Sequence, residues 1–315
     1  MAHFRRILLA AGAVLTAVAV TAASAAQGAG EVVIARNVLG PEGPLVVDGN
    51  LYFVGWIDNT LSKWDGREVT VIHTLPGCGH NGLAVTRRKT FLLACTNDPG
   101  AILELSLGGQ ELRRWVTDDK GSKFVGGIND IVVAPDGGAY ATVFGPYDGV
   151  GAPAELLGKV LFLAPGGATW REVARDLNYA NGVAVSPDGK TLYVSQTVTG
   201  SILKFRIEPD GALSHRSNFA LLDRLVPPRG KSPWLGPDSL KVDHKGDIYV
   251  AQFFGGKILK LSPDGKLLHV FPIAAGDGTT NVAFDAGEKH IYVSVVTDAN
   301  DPKAKGGIVM IDNVR

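Results

Sequence analysis

A short sequence pattern occurs six times along this chain and constrains the fold more than any other feature. A polar residue precedes a short apolar strand, a tight turn follows, and a second apolar strand ends in a loop; residues 129–142, 181–195 and 238–251 are examples. Strand-rich repeats of this size are typical of β-propellers, in which each repeat forms one four-stranded blade. The sequence therefore predicts an all-β fold, a six-bladed β-propeller. The six repeats start at Glu42, Asn81, Asn129, Asn181, Asp238 and Asn281, and each is expected to present its first residue to the central axis.

The two ends of the chain are predicted to meet in one blade. The last repeat ends soon after its third strand, and residues 31–36 form a strand with no blade of their own. We expect this N-terminal strand to complete the last blade and close the ring, because a closed ring leaves few sheet edges exposed. Residues 26–315 are thus predicted to form a single propeller domain.

The first 25 residues are predicted to be a secretory signal peptide. Arg5 and Arg6 precede an apolar stretch, residues 7–20, which is too short for a comfortable membrane span. Ala23-Ser24-Ala25 has the small residues of a cleavage site. We expect an exported protein, periplasmic or extracellular, with no membrane span after cleavage.

Charge and cysteine content bear on partners and compartment. The chain has 31 basic and 31 acidic residues, a formal net charge of zero, and no basic stripe stands out. Nucleic acid is therefore not an expected partner. An export compartment permits a disulfide between Cys78 and Cys95, and two buried free thiols are the alternative.

Four of the polar residues at the repeat starts form a candidate metal site. Glu42, Asn129, Asn181 and Asp238 come from four different blades and are expected to converge on the axis. Two carboxylates and two amide oxygens suit Ca²⁺, which takes six to eight oxygen ligands, although another divalent metal is possible. The alternative is that these residues only cap strands and turns.

The chain resembles the gluconolactonase/regucalcin family of six-bladed propellers, also called senescence marker proteins. The resemblance rests on Glu42-Gly43-Pro44, Asn129-Asp130, Asn181-Gly182 and Gly236-Pro237-Asp238, and the run that ends at Ser239 resembles the drug-responsive lactonase branch. The resemblance implies a catalytic divalent metal, commonly calcium, on the matching Glu, Asn and Asp residues. It also implies the hydrolysis of lactones, which are small-molecule esters.

One departure from the family pattern concerns substrate choice. Members that hydrolyse sugar lactones carry an Arg two residues before the Asn-Asp pair, where this chain has Gly127. The loop residues Trp56, Trp234, Phe253 and Phe254 suggest a less polar pocket. We expect alkyl or aryl lactones to be preferred over gluconolactone.

Three residues are candidates for the catalytic step. Asp238 is both a carboxylate and a predicted ligand, so it is the first candidate for the nucleophile or the water-activating base. Asp130 follows a predicted ligand and is either an orienting residue or a structural cap. His80 matches a His to which paraoxonase-like propellers assign base chemistry, and the alternative is a hydrogen-bonded loop residue.

The sequence thus predicts an exported, calcium-dependent lactone hydrolase of the carboxylic ester class. Two alternatives stay open: a non-catalytic ligand-binding or scaffold propeller, and a strictosidine-synthase-like enzyme.

Overall fold

The structure, a computed structural model, describes residues 30–146, 155, 157–227 and 232–314. The predicted signal peptide, residues 1–25, lies outside the described residues. In the described part of the chain, no helix is long and apolar enough to cross a membrane.

Six four-stranded antiparallel sheets confirm the predicted six-bladed propeller. Blade 1 contains β2 (Pro41–Val47), β3 (Asn50–Gly55), β4 (Thr60–Trp64) and β5 (Val69–Thr74); blade 2 contains β6 (His80–Val85), β7 (Thr90–Cys95), β8 (Ala101–Ser106) and β9 (Glu111–Trp115). Blade 3 contains β10 (Ile128–Val133), β11 (Ala139–Val143), β12 (Gly158–Leu163) and β13 (Trp170–Leu177); blade 4 contains β14 (Ala180–Val185), β15 (Thr191–Gln196), β16 (Ser201–Ile207) and β17 (Leu213–Leu221). Blade 5 contains β18 (Gly236–Val242), β19 (Ile248–Phe253), β20 (Lys257–Leu261) and β21 (Leu267–Pro272); blade 6 contains β22 (Gly278–Phe284), β23 (His290–Val296), β24 (Lys305–Asp312) and β1 (Val32–Leu39). One short helix, α1 (Leu222–Leu225), follows β17.

The N-terminal strand closes the ring as predicted. β1 pairs antiparallel with β24, from Val32 opposite Met310 to Leu39 opposite Lys305. Blade 6 is therefore assembled from both ends of the described chain, and its outermost strand is the first strand in sequence.

Six apolar clusters hold neighbouring blades together, one at each interface around the ring. The largest joins blades 2 and 3 and includes Trp115 and Trp170, whose rings lie edge to face at 6.1 Å. The cluster between blades 6 and 1 is small and combines Ala35, Val38 and Ile308 with Leu51 and Phe53. Burial of both faces of each sheet explains why the inner strands are apolar at almost every position.

The third strand of several blades is largely buried. Every residue of β20 is buried, and four consecutive residues of β8 are buried. The buried polar residues on these strands are ion-paired within their own blades: Lys260 contacts Asp247, and Glu104 contacts Arg88. The exposed strands are the outermost ones, such as β5 and β9.

A β-bulge at the start of the inner strand sets the direction of the axial side chains. In β6, His80 pairs with Cys95 and Leu83 with Leu93, so Asn81 and Gly82 lie opposite one residue. The inner strands β10, β14 and β18 have the same register shift at Asn129, Asn181 and Asp238. β-Bulges change the direction of side chains next to functional sites, and blades 2–5 have a bulge at the same position of the inner strand.

Blades 1 and 6 depart from this common register by one residue. In β2, the bulge comprises Gly43 and Pro44, so Glu42 lies one position earlier than the polar residues of blades 2–5. In β22, the shift falls at Thr280, so Asn281 lies one position later. Glu42 and Asn281 are therefore each offset by one position from the repeat starts of blades 2–5.

The two cysteines are joined. Cys78, just before β6, and Cys95, at the end of β7, form a disulfide with a Cα–Cα distance of 4.6 Å. The bond joins the segment just before β6 to the end of β7, beside the face of the propeller where the inner strands begin.

Candidate functional site

A cavity of about 290 Å³ opens at the axis, on the face where the inner strands begin. Its polar lining comes mainly from the inner strands, and its aromatic lining comes from strand ends and loops. The polar inner-strand residues are Glu42, Asn81, Asn129, Asn181, Asp238 and Thr280; the aromatic residues are Trp56, Phe144, Tyr179, Trp234 and Phe253; Thr96, Asn97 and Thr197 complete the lining. The volume is suited to a small ligand.

The structure brings all four predicted metal ligands to this cavity. Glu42, Asn129, Asn181 and Asp238 line it together, and each side chain is buried. Glu42 joins the set although it lies one position earlier in its strand. Gly43 occupies the common position in blade 1 with φ +48°, and a side chain there would overlap the backbone of Asn81. The glycine therefore leaves room at the axis, and the longer Glu42 side chain reaches into it.

Glu42 is held by two hydrogen bonds to a single carboxylate oxygen. The backbone N–H of Gly43 donates to Glu42 Oε2 at 2.7 Å, and Asn281 Nδ2 donates to the same oxygen at 2.8 Å. Asn281 Oδ1 in turn accepts from the backbone N–H of Val282. Asn281 thus orients Glu42 and does not line the cavity.

Two of the predicted ligands present unpartnered oxygens. Asn129 Oδ1 and Asn181 Oδ1 are buried and accept no hydrogen bond from the described residues. Asn181 Nδ2 donates to Thr197 Oγ1 at 3.1 Å, and the Thr197 hydroxyl donates to the carbonyl oxygen of Pro237. A buried oxygen without a donor costs free energy, so a site of this kind favours a ligand that supplies positive charge.

The two carboxyl groups have raised pKa values. Burial, followed by the negative charge of Asp130, raises the pKa of Glu42 to about 7. Burial, followed by the charge of Glu42, also raises the pKa of Asp238 well above its usual range. Both shifts have the same cause: negative charge gathers at the axis with little solvent.

Asp130 lies beneath the cavity and does not contribute to its described lining. Asp130 Oδ1 accepts from the backbone N–H of Ile131, and Oδ2 accepts from Ser239 Oγ at 3.0 Å and from Lys241 Nζ at 3.3 Å. The carboxylate is fully buried and ion-paired, and its charge acts on both Glu42 and Asp238. It adds negative charge beneath the site, and Lys241 offsets part of that charge.

His80 is also buried and lies outside the described lining. Its ring lies 5.4 Å from that of His73, and neither ring nitrogen has a hydrogen-bond partner among the described residues. Burial, together with the nearby His73, lowers the pKa of His80 to about 3. The imidazole is therefore neutral at neutral pH and a weak proton acceptor.

The structure explains why no Arg occupies position 127. Gly127 has φ +82°, and a Cβ there would overlap the carbonyl oxygen of Thr96. Of the predicted aromatic residues, Trp56, Trp234 and Phe253 line the cavity, whereas Phe254 packs edge-on against Phe253.

Sequence reasoning missed part of the lining. Tyr179 lies between Phe144 and Trp234, with ring centroids 5.0 Å and 4.9 Å away, and the three form a continuous aromatic wall. Phe144 and Tyr179 were not predicted because they lie next to strand ends in irregular segments, where no period marks which side chains face the axis. Asn81 was recognised only as a repeat start.

The residues at the axis fit an oxygen-coordinated cation. Within the described residues, no three His, Cys, Asp or Glu side chains form a group that could hold a metal ion. A cation site must therefore use the amide oxygens as well as Glu42 and Asp238. Carboxylate and amide oxygens without His or Cys are the donors that calcium prefers.

Comparison with known proteins gives related sequences and folds. Lactonase drp35 from Staphylococcus aureus (strain bovine RF122 / ET3-1) is 27% identical over 188 residues, which are 58% of this chain and 53% of that protein. Lactonase drp35 from Staphylococcus saprophyticus is 30% identical over 219 residues, 66% of this chain and 60% of that protein. The chain thus spans about half the length of the curated relatives it matches.

Solved structures show the same fold over nearly the whole chain. A gluconolactonase from Xanthomonas campestris is 26% identical, with a TM-score of 0.71 and 93% of each chain covered. A regucalcin from Agrobacterium tumefaciens, described as a calcium-binding protein, is 20% identical with a TM-score of 0.68, covering 90% of this chain and 93% of its own. Residues 40–297 match the SMP-30/Gluconolactonase/LRE-like region, which agrees with the resemblance seen in the sequence. The chain therefore belongs to the SMP-30/gluconolactonase/LRE-like family.

Proposed function

We propose that this protein hydrolyses lactones at the axial cavity and that it needs a divalent cation, calcium, to do so. The observation that carries the proposal is the convergence of two buried carboxylates, Glu42 and Asp238, with the unpartnered oxygens of Asn129 and Asn181. Family membership and the lactonase and gluconolactonase relatives support the choice of substrate.

The charge of the site supports a divalent ion. Glu42, Asp130 and Asp238 carry three negative charges when ionised, and Lys241 supplies one positive charge. The remaining two negative charges would be neutralised by one divalent cation. Such a cation would polarise the lactone carbonyl and stabilise the charge that develops on its oxygen.

The protein's own residues would position the substrate and supply the nucleophile or the base that accepts a proton from water. Asp238 lines the cavity and is our candidate for the nucleophile or the water-activating base. Asp130 and His80 are the competing candidates; both lie outside the described lining, and Asp130 is already engaged by Ser239 and Lys241. The aromatic wall would exclude water from the lactone ring.

The test is hydrolysis of an aryl lactone such as dihydrocoumarin by chelator-treated protein, before and after calcium is restored. We expect activity only with calcium. Asp238→Asn should lower kcat by about 100-fold or more. Glu42→Gln should weaken calcium binding by about 10- to 100-fold. Asp188→Asn is the matched control, because Asp188 lies in a turn on the opposite face, where an amide oxygen can keep the bond from Ser186.

Full activity in excess chelator would refute the dependence on metal. Calcium binding without turnover of any lactone would favour a non-catalytic binding propeller instead.

We further propose that the protein acts after export, outside the cytoplasm. The Cys78–Cys95 disulfide supports this, because such bonds persist in oxidising compartments. The mass of the mature protein from its native host would show whether cleavage follows Ala25.

A further inference from the structure

Asn81 occupies the same structural position as three residues of the candidate cation site. The bulge at the start of β6 places Asn81 as the bulges of β10, β14 and β18 place Asn129, Asn181 and Asp238. The β-bulge of blade 2 therefore places an amide side chain at the axis in the same way as the bulges of blades 3, 4 and 5 place their polar side chains.

The environment of Asn81 is that of a ligand. The side chain lines the axial cavity and is only 8% exposed. Its Oδ1 is buried and accepts no hydrogen bond from the described residues, like the Oδ1 atoms of Asn129 and Asn181. Asn281, the repeat start of blade 6, is different, because it lies one position later and its Oδ1 accepts from Val282 N at 2.8 Å.

The chemistry of the substrate narrows what this oxygen could bind. An amide oxygen needs a hydrogen-bond donor or a cation. The ester group of a lactone has two acceptor oxygens and no N–H or O–H, so it cannot satisfy Asn81 Oδ1. A hard cation at the axis can, and six to eight oxygens are what calcium requires.

We infer that Asn81 is a fifth protein ligand of the cation and that blade 2 contributes to the site alongside blades 1, 3, 4 and 5. The inference rests on the proposed function, since it requires that a cation binds at the axis. It adds a side chain that the family motifs do not mark.

Calorimetric titration of the chelator-treated full-length protein with calcium tests this inference. Wild type should bind one ion at the axis. Asn81→Ala should weaken the calcium affinity by about 10-fold or more, a loss in the range seen when groups that support a metal site are removed. Asn81→Asp keeps an oxygen at the same place, so it should bind calcium at least as tightly as wild type. Asn97→Ala is the control: Asn97 lines the same cavity from the same blade, but it is exposed and donates to Gly77, so the affinity should stay within about two-fold of wild type.

The outcomes separate the two proposals. Absence of calcium binding to wild type would overturn the proposed function and this inference together. Wild-type binding with an unchanged affinity in folded Asn81→Ala would overturn the inference alone, as would an affinity lowered equally by Asn81→Ala and Asn81→Asp. Circular dichroism of each variant in chelator shows whether it is folded, and Asn81→Asp keeps the test decisive if Asn81→Ala does not fold.

Discussion

At the scale of single residues, the axial carboxyl groups link the cation site to folding. Burial raises the pKa values of Glu42 and Asp238, the charge of Glu42 raises that of Asp238 further, and the charge of Asp130 beneath them raises both. Hydrogen bonds from Gly43 and Asn281 and the charge of Lys241 oppose the rise of the Glu42 pKa without cancelling it. The metal-free protein therefore keeps protons that its unfolded chain would release.

This proton uptake predicts how the stability of metal-free protein depends on pH. The pKa of Glu42 is raised to about 7, so its contribution to stability is present at low pH and is lost as pH rises through that value. We expect the free energy of unfolding in chelator to fall by about 1 kcal/mol between pH 6.5 and 8.5, the part of the Glu42 contribution that is still present above pH 6.5. The lowered pKa of His80 acts in the opposite direction, but only below about pH 6.5.

Urea unfolding at several pH values measures the effect. Glu42→Gln removes the titrating group, so the free energy of unfolding of this variant should fall less over the same pH range. Calcium should abolish the fall, because it binds the ionised carboxylates. A wild-type stability that rises with pH above 6.5 in chelator would contradict the assignment of these charges.

At the scale of strands and loops, the sequence predicted what is periodic and missed what is not. Apolar runs and tight turns located the blades because burial on both faces and tight-turn geometry leave a repeated pattern. The one-residue offsets of Glu42 and Asn281 leave no such pattern, since they depend on where each β-bulge falls. The convergence of four predicted ligands could be foreseen from the repeats, whereas the aromatic wall could not.

The aromatic wall predicts substrate preference. Phe144, Tyr179 and Trp234 give one side of the cavity an apolar surface, and Gly127 has no room for a guanidinium group. Since a polyhydroxylated sugar needs buried polar partners, we expect kcat/KM for dihydrocoumarin to exceed that for gluconolactone by about 10-fold or more, with calcium present.

Two variants test whether the wall causes this preference. Trp234→Leu should reduce the ratio of the two kcat/KM values. Trp64→Leu should not, because Trp64 packs against Tyr292 away from the cavity. A clear preference of the wild type for gluconolactone would mean that another residue supplies the missing polar contacts.

At the scale of the whole molecule, we expect the stability of the ring to depend on the small cluster between blades 6 and 1. Phe53 is fully buried in the cluster between blades 1 and 6, beside Ala35 of the closing strand and Ile308 of β24. We expect Phe53→Ala to lower the free energy of unfolding by about 3–5 kcal/mol, because it leaves a cavity where the ring closes.

Denaturant unfolding compares this variant with Val71→Ala, a truncation at an exposed position of β5 that should cost no more than about 0.5 kcal/mol. Equal losses in the two variants would show that closure does not depend on this cluster.

The closing strand also fixes the order in which the ring can be completed. β2 to β5 can pair as soon as blade 1 has been synthesised, and blades 2–5 follow in the same way. β1 is made before all of them, yet its partner β24 is the last strand of the described chain. Its ladder hydrogen bonds to β24 cannot form until residues 305–312 exist, so a nascent chain is an open arc and becomes a ring only when β24 has been made.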